Sequence, residues 1–360
     1  MNAQAVPRYE IAAIPGDGIG REVVEPAIEI LDQAASQGDF ALSWTVHPWS
    51  CEHWRRHGSM MPADGLDQLR PADAIFLGAV GDPAVPDHVS LWGLLIPIRR
   101  AFDQYVNLRP VRLLPGVESP LRRGGAIDFV VVRENSEGEY SEAGGVLWGG
   151  TERETVLQES VFTRTGVERV LRYACRLAER RGGRLVSATK SNGIVHTMPF
   201  WDRVCAEVAA DFPGVRVDSQ HVDALAATFV QRPETLDVVV GSNLFGDILS
   251  DLGAAVAGGL GLAPSANLNP EGRFPSMFEP VHGSAPDIAG EGVANPLGQI
   301  WTGALMLEHL GRPEAASAVL GAIEDVLRDT PVRTRDLGGT ASTAEVARAV
   351  SQALRDRRPG

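Results

Sequence analysis

The chain has 360 residues, 44% of them apolar, and a formal net charge of −13. That length predicts two lobes or one large α/β unit. The acidic balance argues against nucleic acid as a partner, because neutralising phosphates needs a basic face. Apolar runs are broken within about 10 residues, too short to cross a bilayer. The N-terminal MNAQAVPRYE lacks the basic-then-apolar pattern of a secretory signal. Cys51, Cys175 and Cys205 are too scattered for a disulfide framework and suit reduced thiols, so a cytoplasmic protein is expected. The basic stretch Arg176, Arg180, Arg181 and Arg184 reads as the solvated end of an amphipathic helix.

Residues 9–14 read as a buried strand and 20–34 as a helix. A strand is expected at 41–47, another at 74–77, and a helix at 90–102. Strands follow at 127–132 and 184–188, then a strand at 237–240 running into a helix at 244–256. Three helical segments close the chain, at 296–310, 314–328 and 343–357. Such alternation indicates an α/β fold with a substantially parallel sheet. Residues 144–163 break the pattern with a Gly-rich turn and a β-prone stretch, which a hairpin arm reaching a partner subunit would explain, a plain surface hairpin being the alternative.

The loop Ile14-Pro15-Gly16-Asp17-Gly18-Ile19-Gly20 follows a strand and opens a helix. Its G-x-G-x-G spacing is not the G-x-G-x-x-G of a Rossmann fingerprint, and the next strand ends His47-Pro48-Trp49 without the carboxylate such a site needs. Glycines still permit close backbone approach there.

Asp247 and Asp251 stand at i and i+4 in a helical segment, on one face about a turn apart. Two carboxylates with a third from elsewhere would make a hard-oxygen site for Mg²⁺ or Mn²⁺. A solvated acidic face is the plain alternative, weakened by the apolar or small flanks Leu244, Phe245, Ile248, Leu249, Leu252 and Gly253. Lys190 lies where a strand ends and a helix begins, at the edge where open α/β sheets bind ligands. It is the only lysine among 33 basic residues, which favours a role needing a titratable amine over a snorkelling surface side chain. Arg133 and Tyr140 share the turn RENSEGEY, and Arg99 and Arg109 flank residues 102–108. Three guanidiniums suit a substrate with two carboxylates, although each alone reads equally as a surface ion pair. The loop Glu279-Pro280-Val281-His282-Gly283-Ser284-Ala285-Pro286-Asp287, followed by Asn295, could offer N–H groups to phosphates and a carboxylate to ribose, although viewed alone it reads equally as an ordinary loop.

Together RENSEGEY, TKSNG, NLFGDILSDLG and FEPVHGSAPDIAG, in this order, closely resemble the β-decarboxylating dehydrogenases of the isocitrate/isopropylmalate dehydrogenase family. The segments VPDHVSLWG, FDQYVNLRPVRLLPGV, SATKSNG and APSANLNP resemble its tartrate/D-malate branch most. The resemblance implies a two-domain α/β fold that is not a Rossmann fold, in a homodimer with the active site in a cleft between domains. It implies a discontinuous cofactor-binding domain, 1–104 with 260–360. A central substrate and dimerisation domain would span 105–259, with an arm near 144–163. Carried over by motif, Arg99, Arg109 and Arg133 would bind the diacid, and Asp247 and Asp251 the metal, joined by Asp223 of a second subunit. Lys190, also from that second subunit, would be the base, and Tyr140 would assist protonation after loss of CO₂. His282, Gly283, Ser284, Ala285, Asp287 and Asn295 would hold NAD, with Asp287 favouring ribose hydroxyls over a 2′-phosphate. A monovalent cation is a further candidate cofactor.

The implied activity is NAD- and metal-dependent oxidation and β-decarboxylation of a C4 2-hydroxy diacid, D-malate to pyruvate and CO₂, with tartrate oxidised as well. Isopropylmalate dehydrogenase is the same-class alternative, and a non-catalytic NAD- or diacid-binding protein a remote one. Gly93 and Leu95 cannot serve a third carboxylate as isocitrate enzymes require, and Trp92 replaces the glutamate of isopropylmalate enzymes. Asp82 and His196 depart from the D-malate pattern.

Overall fold

A computed structural model describes residues 6–122 and 126–357; the start of the N-terminal stretch read for a signal lies outside them. The chain divides into two compact units. One comprises Met1–Gln104, Leu113–Arg122 and Ala257–Gly360, the other Tyr105–Arg112 and Arg123–Val256. In chain order the strands are β1 (Arg8–Gly16), β2 (Ala41–Val46), β3 (Ala74–Ala79), β4 (Val106–Arg112), β5 (Asp128–Glu134) and β6 (Gly144–Leu147). There follow β7 (Thr155–Gln158), β8 (Arg184–Thr189), β9 (Arg216–His221), β10 (Val238–Gly241), β11 (Ala266–Leu268) and β12 (Ser276–Phe278).

In the first unit the strands run in the order β2-β1-β3-β12-β11, parallel except for β11 against β12. Every residue of β3 is buried, as expected of a strand covered on both faces. Its side chains Ile75 and Leu77 pack with Ile14, Leu94, Ile98, Phe102 and Met277. The expected helix at 90–102 is interrupted. Asp87–Ser90 and Ile96–Ala101 are α-helical, but Leu91–Leu95 is a π turn in which Ile96 N–H reaches back to Leu91 O. Pro97 explains it, since it has no N–H to return to the preceding turn.

Residues 113–122 belong with this first unit rather than with the central segment expected to hold them. Leu114 is buried, Arg333 donates to Gly116 O at 3.2 Å, and a Cβ on Gly116 would stand 1.9 Å from Leu327 O. The segment is therefore fitted against the helix Pro313–Asp329.

In the second unit the order is β4-β5-β10-β8-β9, parallel except for β4 against β5. The valine runs of β5 and β10 are buried, and the helices Arg164–Arg180, Thr197–Ala209 and Asn243–Val256 accompany them. The stretch QHVDALAATFV, given no element from sequence, is the end of β9 and the helix Val222–Gln231. β6 and β7 pair as a separate antiparallel ribbon whose residues are all exposed, Val146, Leu147, Val156 and Leu157 among them.

Candidate active site

Strand register brings two arginines together. Arg109 on β4 lies opposite Val131 on β5, two residues from Arg133, so both guanidiniums leave the same face of the sheet. Both are buried. The helix Asn243–Val256 lies close against that face because two of its residues lack side chains. A Cβ on Gly246 would stand 2.6 Å from Arg133 Cβ, and one on Gly253 2.7 Å from Val111 Cγ2.

This close approach aims the carboxylates of the helix at the guanidiniums. Arg109 Nη1 lies 3.1 Å from Asp247 Oδ1 and 3.1 Å from Asp251 Oδ1, and donates to Ser250 Oγ at 2.7 Å. Arg133 pairs through Nη1 with Asp247. Its Nε and Nη2 both donate to Asn243 Oδ1, at 3.0 and 2.7 Å. Tyr140 Oη donates to Asp247 Oδ2 at 3.1 Å, and the Tyr140 ring lies 5.5 Å from the Arg133 guanidinium. Burial, with the charge of Asp247, raises the phenol of Tyr140 above its ordinary value against the opposing pull of Arg133. Burial also raises Asp251, opposed by Arg109 and reinforced by Asp247.

Five residues singled out from sequence thus meet: Arg109, Arg133, Tyr140, Asp247 and Asp251. Two others form a separate pair. Lys190, just beyond β8, has its Nζ 2.8 Å from Oδ1 of Asp223, in the first turn of Val222–Gln231. That ammonium holds Asp223 below the usual carboxylate range. Among the described residues no three His, Cys, Asp or Glu side chains form a group able to hold a metal ion. The carboxylates expected to form a metal site are therefore not assembled within one chain. Asp247 and Asp251 supply two hard oxygens a turn apart, a donor set that suits Mg²⁺ or Mn²⁺ once a further ligand is added.

Arg99 belongs to the first unit, where its Nη2 lies 2.6 Å from Glu279 Oε1, which also accepts from Asn267 Nδ2 at 2.7 Å. Trp92 faces the Arg100 guanidinium, 4.8 Å from ring centroid to carbon. Asp82 is committed to Arg55 at 2.6 Å and to the Ala84 N–H at 2.8 Å, while His196 is exposed ahead of Thr197–Ala209.

One glycine of the first loop, Gly18, serves the loop at 282–295, while Gly16 and Gly20 lie close to Ala79. A Cβ on Gly18, at φ +52°, would stand 2.0 Å from Ser284 O, which accepts from Ile19 N–H at 2.9 Å. Asp17 turns inward to the N–H groups of Cys51, at 3.0 Å, and Gly81, at 3.1 Å. A cavity of about 400 Å³ opens here, lined by His282, Ala285, Ile288, Asn295 and Asp336 among others. His282 Nε2 is buried with no hydrogen-bond partner, an atom suited to a bound polar group such as a nucleotide's. Burial holds this imidazole below its ordinary range. Ser284 is buried, and Gly283 and Asp287 are exposed. Asp287 is not among the lining residues; the carboxylate that is, Asp336, accepts from Asn295 Nδ2 at 2.9 Å and from Thr334 Oγ1 at 2.5 Å.

Sequence reasoning passed over Asp336, which sits in no recognisable pattern, and Asn243, which stands one helical turn before Asp247 and was open to the same periodicity argument.

The family model for isocitrate/isopropylmalate dehydrogenase matches residues 10–350. The tartrate dehydrogenase/decarboxylase of Pseudomonas putida is 57% identical over 96% of this chain and 98% of its own length. The D-malate dehydrogenase (decarboxylating) of Escherichia coli K12 is 56% identical, with the same shares covered. The crystal structure of isocitrate dehydrogenase from Methylococcus capsulatus superposes with a TM-score of 0.88, at 33% identity over 96% of this chain and 99% of that one. No helix among the described residues is long and apolar enough to cross a membrane. Fold, gathered site and near-full-length likeness agree: the chain belongs to the isocitrate/isopropylmalate dehydrogenase family and is one of its decarboxylating dehydrogenases.

Proposed function

We propose that this dehydrogenase acts on a four-carbon 2-hydroxy diacid, converting D-malate to pyruvate and CO₂ and oxidising tartrate, with NAD as cofactor and Mg²⁺ or Mn²⁺ at Asp247 and Asp251. The observation that carries the reading is the near-full-length identity to relatives bearing those names, together with the Arg109–Arg133–Tyr140–Asp247 assembly. The same likeness favours this reading over isopropylmalate.

In this reading Arg109 and Arg133 take up the substrate carboxylates, with Arg99 as the third guanidinium. When bound, the cation supplies electrostatic stabilisation of developing negative charge and NAD accepts the hydride. Lys190 Nζ removes the 2-hydroxyl proton, and Tyr140 Oη, held against Asp247, delivers a proton to carbon after CO₂ leaves. Lys190 and Asp223 serve the site of a second copy of the chain, which makes the active unit a homodimer with shared sites. The exposed ribbon β6–β7 is the arm that reaches that copy. The first unit is the cofactor-binding domain, with nucleotide in the cavity beside His282 and Asn295, and the second the substrate and dimerisation domain.

The test is NADH formation with NAD⁺, Mn²⁺ and a panel of D-malate, the tartrates, isopropylmalate and isocitrate. D-malate or a tartrate is expected to give the highest kcat/KM. Preference for isopropylmalate would overturn the C4 assignment.

A further inference from the structure

The turn at residues 133–140 carries three glutamates between the groups assigned to chemistry. Each is committed to a different structure. Glu134 accepts from Ser136 N–H, Ser136 Oγ and Glu137 N–H, closing its own turn. Glu137 accepts from Thr163 N–H and Oγ1, both at 2.8 Å, at the start of the helix Arg164–Arg180. Glu139 alone of the three has its carboxylate bonded to the start of Asn243–Val256, the helix that bears Asp247. Its Oε1 accepts from Ser242 Oγ at 2.7 Å and its Oε2 from Leu244 N–H at 3.0 Å.

A helix start needs such a partner, because its first N–H groups have none within the helix. Ser242 supplies little by itself, its Oγ standing 3.4 Å from Phe245 N. A carboxylate there also opposes the positive end of the helix dipole. The residue following Glu139 is Tyr140, whose Oη reaches Asp247 Oδ2 at 3.1 Å. Two consecutive residues therefore grip one helix, the first at its start and the second a turn later. Asn243, between the two grips, holds Arg133 through its Oδ1 and donates from Nδ2 to Glu137 O at 3.0 Å.

We infer that Glu139 is a positioning residue: by fixing the first turn of Asn243–Val256 it sets the contact of Tyr140 Oη with Asp247. The inference rests on the proposed assignment of Tyr140 and Asp247 to the chemistry.

Glu139→Ala removes both bonds. Glu139→Gln keeps both, because its amide oxygen can accept from Leu244 N–H while its amide nitrogen donates to the Ser242 hydroxyl. Glu139→Ala is expected to lower kcat about tenfold while KM for D-malate stays within about twofold. Glu139→Gln should recover to within about threefold of the parent, and the alanine penalty should shrink in a Tyr140→Phe background, where no phenol remains to be misplaced. In protein without cofactor or substrate, amide exchange at Leu244 should quicken in the alanine variant and not in the glutamine one. Unchanged kcat or unchanged exchange in Glu139→Ala, an equal penalty in both backgrounds, or a glutamine variant as poor as alanine would each overturn the inference. Should Glu139→Ala not fold, Ser242→Ala in the same two backgrounds decides, with a kcat loss of about threefold expected and no loss refuting. Absence of turnover in the parent enzyme would refute the substrate assignment, whereas parent turnover with a fully active Glu139→Ala refutes this inference alone.

Discussion

Lys190 Nζ stands 2.8 Å from Asp223 Oδ1, so the chain's only lysine is joined to a carboxylate outside the Arg109–Asp247 assembly. If both serve the site of a second copy, the site can be rebuilt from two defective chains. Lys190→Met and Asp247→Asn should each be inactive alone. Refolded together at equal amounts, they should recover about a quarter of parent activity, because half the dimers are mixed and each mixed dimer has one intact site. Recovery near zero would place Lys190 and Asp247 in the same subunit's chemistry.

Gly246 and Gly253 predict different outcomes for one added methyl group. Gly246→Ala drives Cβ into Arg133 Cβ, 2.6 Å away and close to the backbone of β5, so about 2 kcal/mol of stability and most of the activity should be lost. Gly253→Ala meets Val111 Cγ2 at 2.7 Å, a side-chain terminus, and should cost about 1 kcal/mol with activity largely retained. Urea unfolding and steady-state kinetics on both variants check the contrast.

Asp247→Asn should weaken the fold as well as the activity. Arg133 is buried with Asp247 as its charged partner at Nη1, and Arg109 Nη1 lies 3.1 Å from the same oxygen. Neutralising that carboxylate leaves buried cations less compensated, at a cost of about 2 kcal/mol. A chemical denaturation midpoint equal to that of the parent would contradict this.

Glu134 gives stability a pH dependence of definite sign. Burial, against three hydrogen bonds, pushes its carboxyl up to about 7 from 4.5. Between those values the unfolded chain has released the proton and the folded chain has kept it, so this contribution falls as pH rises through the window. Glu134→Gln should flatten the slope of unfolding free energy against pH between about 5 and 7. Denaturant titrations across that range would reveal it.

The cavity beside His282 separates two candidate carboxylates for NAD. Asp336 lines it and Asp287 does not. Asp336→Asn is expected to raise the NAD Kd about tenfold and Asp287→Asn about threefold or less, measured by fluorescence titration without substrate. The reverse order would return the role to Asp287.

Periodicity made the helix and the Asp247/Asp251 pair legible in the sequence, and motif order made the family legible. What sequence could not show were relationships set by register and by missing atoms. That Arg109 and Arg133 share a face depends on β4 pairing with β5 in one register, which no local pattern in 106–134 specifies. The π turn at Leu91–Leu95 follows from Pro97, yet apolar spacing at 90–102 reads as an unbroken helix. Residues 113–122 join the first unit because Gly116 fits against Leu327 O, a long-range contact with no sequence signature. Asp287 matched a motif, while Asp336 reaches the cavity from a segment 49 positions later in the numbering.

The glycine contacts of Asn243–Val256 also govern what kind of error the site can absorb. Where two elements meet through side chains, a change of rotamer can restore a lost fit. At Gly246 there is no side chain to turn, so the gap between the carboxylate helix and β5 is a fixed gauge. Evolution toward a larger or smaller diacid is then free to work through the residues around the gap, but not through its width.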